Sequence, residues 1–108
     1  MSEPNKVETL LNSVRDLVAM DVPAAVVANH VSLVLQGWAK VAATSPGDRV
    51  EFEKTCTLVA RRLEDERVAL LANAAGQTHG GPQVVLARAE ALEAARAAAR
   101  AAIAASRP

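Results

Sequence analysis

Tyrosine is absent from this chain, and Trp38 and Phe52 are its only aromatic residues. Aromatic rings bury the most surface per side chain, so the core must come from Leu, Val, Ile and Ala. Ala is the commonest residue and contributes little, whereas a fully buried Leu, Val or Ile contributes roughly 1.5–3 kcal/mol. With so few large side chains in 108 residues, close helix packing or self-association is expected to supplement a thin core. Net charge is missing too. Twelve acidic residues balance twelve basic ones, so no overall field draws the chain to nucleic acid or anionic membranes. Cys56 stands alone, which excludes an intramolecular disulfide framework and suits the reducing cytoplasm. Met1 to Lys6 lack the apolar run of a signal peptide. The longest nearly uncharged stretch, Val22 to Ala39, approaches membrane-spanning length. Pro23 stands near its start, however, and Asn29, His30, Ser32 and Gln36 interrupt it. It reads as a buried helix, and no membrane span is expected.

Strand alternation is absent as well, and helical periodicity takes its place. Val7, Leu10, Leu11, Val14, Leu17 and Val18 recur at three- and four-residue spacing and give a first helix one apolar face. Asp21-Val22-Pro23 ends it, because proline disfavours helical geometry in the residue before it and suits the start of a new helix. The second helix carries the stripe Val27, Val31, Val34, Trp38 and Val41, with Val26, Leu33 and Gly37 on another side and His30 between the two. A helix apolar nearly all round is normally enclosed by neighbours, so this one is expected at the centre. Thr44-Ser45-Pro46-Gly47-Asp48 has Ser45 to cap a third helix, proline at its first position and Asp48 to complete a capping box. That helix runs along Phe52, Cys56, Val59, Leu63 and Leu70, with Glu66 interrupting the line. With Arg62 one turn earlier, a solvated turn or one salt-bridged to Arg62 is the expected setting of Glu66. After the flexible loop 77–81, an Ala/Arg/Glu helix follows with the thin line Val85, Leu92, Ala99 and Ile103. Its intrinsic helicity is high, but its weak stripe predicts less secure docking and a frayed end over about 102–108. These elements predict a single all-α domain, 1–108, folded as an antiparallel bundle of three to four helices at about 5–20, 23–43, 46–75 and 82–105.

The patterns that carry chemistry are missing. His30 and His79 sit in different elements, and Cys56 has no CxxC partner, so the converging ligands of a metal site are not expected. Cys56 falls on an apolar line, where a thiol is a small core residue rather than a nucleophile. Gly80-Gly81-Pro82 lacks the residues and the preceding strand of a phosphate loop. His30 carries the strongest catalytic candidacy. In length, helicity and one helical histidine the chain is similar to histidine phosphotransfer domains. Those follow the histidine with a basic residue at +3 and a small one at +4, where this chain has Leu33 and Val34. Compact helical enzymes such as chorismate-mutase-like dimers place Arg, Lys and Glu inside the bundle; here the inward positions are apolar apart from Glu66. Arg88, Arg96, Arg100 and Arg107 are interleaved with Glu90 and Glu93 and lack aromatic company, a poor nucleic-acid footprint. No catalytic residue, cofactor or metal is therefore expected. The expectation that remains is a protein-protein interaction module, dimeric through its second helix, with Val26, His30, Leu33, Gly37 and Trp38 at the interface.

Overall fold

Four helices, and no strand, make up the regular structure of the residues described by the computed structural model, namely 5–43, 46–74 and 81–106. They are α1 (Lys6–Ala19), α2 (Ala24–Ala42), α3 (Pro46–Ala74) and α4 (Gly81–Ser106). Each limit lies within one residue of the boundary that periodicity predicts, and the result is an antiparallel helical bundle. No described helix is long and apolar enough to cross a membrane. The longest dimension, 49 Å, is close to the length of α3 alone, about 44 Å at a rise of 1.5 Å per residue.

The helix ends explain these limits. The Asn5 side chain accepts a hydrogen bond from the Val7 N–H at 2.9 Å, satisfying one of the orphan donors of α1. Glu8 adds negative charge in the first turn, where the helix dipole favours it. At the other end Asp21 takes a left-handed φ of 57°. This lets the Val22 N–H reach the Leu17 carbonyl and the Asp21 N–H reach that of Val18, the paired bonds of a Schellman stop. Glycine usually holds such a position. Here the aspartate carboxylate also receives Arg88 of α4 through two bonds, at 2.8 and 3.3 Å, so the corner is tied to the last helix. Gly81 opens α4 with φ 76°, which L side chains rarely adopt. Thr44 and Ser45, on which the expected cap of α3 rests, and most of the 77–81 loop lie outside the described residues.

Packing departs from expectation in one respect. The centre belongs to α4 rather than α2: α4 packs closely against both α2 and α3, while α1 closes the bundle at wider spacing. The reason lies in the alanines. Ala89, Ala91, Ala95 and Ala99 are buried together with Leu92, and short side chains let helix axes approach, since interaxial distance follows side-chain size. Against this spine lie the large residues of the other helices. Leu11, Val14, Val27, Val31, Leu35, Val59 and Leu63 are fully buried in one cluster. On α2 the core row is Val27, Val31 and Leu35, at constant four-residue spacing, with Val34 and Trp38 at its margin. Val41, expected on that stripe, is 73% exposed: continuing by alternating steps of four and three rotates the row off the core.

Candidate functional site

Among the described residues, three of the recesses between helices and one uncovered helix face are the candidate sites. One recess, of about 620 Å³, lies between α3 and α4 and mixes Arg61, Arg96 and Arg100 with Glu64 and Asp65. Arg96 is already engaged by Glu64 at 3.5 Å and Glu93 at 3.1 Å. A second, of about 250 Å³, lies on one side of Trp38 and is lined by Asp48 and Glu51 together with Lys6. A third, of about 390 Å³, lies between α1 and α2. Leu10 and Val34 line it with the half-buried Trp38, beside Lys6, Thr9, Ser13 and His30. Its polar groups are largely committed. The Ser13 hydroxyl lies 2.7 Å from the Leu10 carbonyl and donates to it. With that proton used, the Ser13 oxygen accepts from His30 Nε2–H at 2.8 Å, leaving Nδ1 as the second ring nitrogen. Thr9 donates to the Asn5 carbonyl at 3.3 Å. The Lys6 ammonium rests 4.9 Å from the centroid of the Trp38 ring, within cation–π range.

No protein-family model matches this chain, and no curated protein or solved structure matches it either. The site has to be read from its own geometry.

The five residues singled out in the sequence separate into two groups. Val26 (47% exposed) and Leu33 (59%) lie on an outward face of α2 beside Gly37, and a Cβ built on Gly37 would meet no atom within 4 Å. Neither α1 nor α4 covers this face. Val41, not singled out, is also exposed, near the end of the helix, where it borders the recess beside Trp38. Trp38 lies away from the row, packed against the core at the mouth of the α1–α2 cleft. His30 stands on the boundary, half-buried, and belongs to both. Its bond to Ser13 is a tertiary contact across 17 residues, which no local pattern signals.

The other chemically notable side chains are structural. Cys56 is fully buried on α3, and desolvation pushes its thiol up to about 11. Glu66 is ion-paired, though not with Arg62: its partner is Arg15 of α1, while Arg62 reaches Glu8 at 2.6 Å. Among the described residues no cluster of three His, Cys, Asp or Glu side chains could hold a metal ion. Of the four arginines noted after residue 81, Arg88 and Arg96 are ion-paired within the bundle, and Arg107 lies outside the described residues.

Proposed function

We propose that this protein is a non-catalytic interaction module, a helical adaptor, small chaperone or regulator, that works by helix-to-helix contact, and that α2 pairs with α2 of a second copy. The observation that carries the reading is the exposed pair Val26 and Leu33 beside Gly37, on a helix whose only charge is Lys40. Positions 26, 30, 33 and 37 follow the four-three-four spacing of a two-helix seam. In an antiparallel pair that spacing reads the same from both chains. Val26 meets the mate's Gly37, and His30 meets the mate's Leu33, so a two-fold contact is self-complementary. Gly37, having no side chain, allows the backbones to approach. A single reduced thiol, Cys56, suits a cytoplasmic setting.

The test is Leu33→Glu. A charge buried unpaired in the seam costs about 3–5 kcal/mol, so the variant should sediment as a folded monomer where the parent sediments as a dimer. A parent that remains monomeric at high micromolar concentration removes the homodimer. One observation favours a second reading, phosphoryl transfer on His30: its Nδ1 has no hydrogen-bond partner among the described residues. Leu33 and Val34 beside it count the other way. Phosphohistidine at this position in the native host, lost in His30→Gln, would establish the enzymatic reading in place of the module.

A further inference from the structure

The three recesses differ in charge. Carboxylates line both the α3–α4 recess and the one beneath Trp38. The α1–α2 cleft has none: Lys6 and His30 are its only titratable lining residues. Lys6 has no ion pair among the described residues, and its contact is with the Trp38 ring. The Thr9 and Ser13 hydroxyl protons are already donated to backbone carbonyls, which leaves the ammonium as the charged donor of the lining. The apolar part of the lining is formed by Leu10, Val34 and the indole ring. The volume of about 390 Å³ falls within the range of small-molecule sites, which pair an apolar lining with a few placed polar groups.

We propose that this cleft binds a small carboxylate carried on an apolar body, of the kind a medium-chain fatty acid provides. The carboxylate meets the Lys6 ammonium as a charge-assisted hydrogen bond. The chain lies along Leu10, Val34 and the Trp38 ring, which gives up surface otherwise exposed to water. An amine of the same chain length would set like charge against Lys6, and an alcohol would forgo the ion pair.

The chain supplies its own reporter. Trp38 is the sole tryptophan and tyrosine is absent, so intrinsic fluorescence reports on this one ring, which lines the cleft on one side and the carboxylate-lined recess on the other. Octanoate, 1-octanol and octylamine are titrated to low millimolar concentration against the full chain. Octanoate should give a saturable change in Trp38 emission, octanol a weaker one and octylamine the weakest. Lys6→Met should weaken octanoate about tenfold, the loss of one charge-assisted bond, and leave octanol unchanged. Backbone amide shifts should centre on Ser13 and His30. Lys6 is exposed, so the variant keeps the core; should it misfold by circular dichroism, the ligand series on the parent decides alone. Repeating the octanoate titration on Leu33→Glu separates this proposal from the dimer, since Leu33 lies outside the cleft. Octanoate without a saturable response, octanol binding as tightly as octanoate, or a folded Lys6→Met variant with undiminished affinity would each overturn the assignment.

Discussion

Single residues in this bundle are defined by what surrounds them more than by their own chemistry. Cys56 is the clearest case. A thiol at about 11 leaves on the order of one molecule in a thousand as thiolate at about pH 8, and only the thiolate reacts. Ellman's reagent should therefore modify Cys56 very slowly in native buffer and at once in denaturant. Equal rates would mean that this part of α3 opens freely. Cys56→Ser should destabilise by about 1–3 kcal/mol, because a hydroxyl there would be buried among apolar neighbours. The same surroundings explain which residues the sequence disclosed. Val26, Leu33 and Gly37 could be placed on an outward face because a helical wheel fixes their direction relative to Val27 and Val31. Trp38 could not be placed, since its wheel position borders both core and cleft and only the position of α1 resolves it. The Ser13–His30 bond and the Arg15–Glu66 pair join different helices, and spacing along one helix says nothing of either.

At the scale of elements, the helices were legible almost to the residue, because turns built on Asp21-Val22-Pro23 and Pro46-Gly47-Asp48 are local chemistry. The partnership of the helices was not legible. Hydrophobic periodicity weights large side chains, so the alanine face of α4 read as a poor docking surface and α2, rich in Val, as the centre. Close packing reverses that ranking: small residues gain dispersion contacts by letting backbones approach. A direct consequence follows for substitutions on α4. Ala95 is fully buried, and Ala95→Leu should cost about 1–3 kcal/mol by overpacking, despite adding apolar surface. Leu86, on the same helix but 63% exposed, should tolerate Leu86→Ala to within about 0.5 kcal/mol. Denaturation midpoints of the two variants compare them. If Ala95→Leu is neutral or stabilising, α4 sits farther from its neighbours than described.

For the molecule as a whole, ion pairs at the rims link three of the helices. Glu8 joins Arg62, Asp21 joins Arg88, and Arg67 and Arg96 of α3 and α4 reach Glu93 and Glu64 across their interface. The guanidinium groups beside them hold the Glu8, Asp21 and Glu64 carboxyls below the usual carboxylate range, each chiefly through its arginine hydrogen bond. A carboxyl whose value is lower folded than unfolded contributes in full above the unfolded value and loses that contribution as pH falls through the folded one. Stability against urea should thus be level from neutrality down to about pH 5 and decline below about pH 4. The decline should be modest, since exposed pairs contribute little and are screened by salt. A midpoint that rises on acidification would contradict these pairings. The position of α4 has one more effect, on the order in which the fold can assemble. The surface that α2 and α3 share is completed only by a helix that is synthesised after both. Until residues 81–106 leave the ribosome, Val31, Leu35, Val59 and Leu63 have no alanine spine to close on, so the nascent chain presents apolar faces until then. The bundle therefore closes only once α4 has been made, and the exposure of these faces to chaperones is set by how soon α4 follows α3.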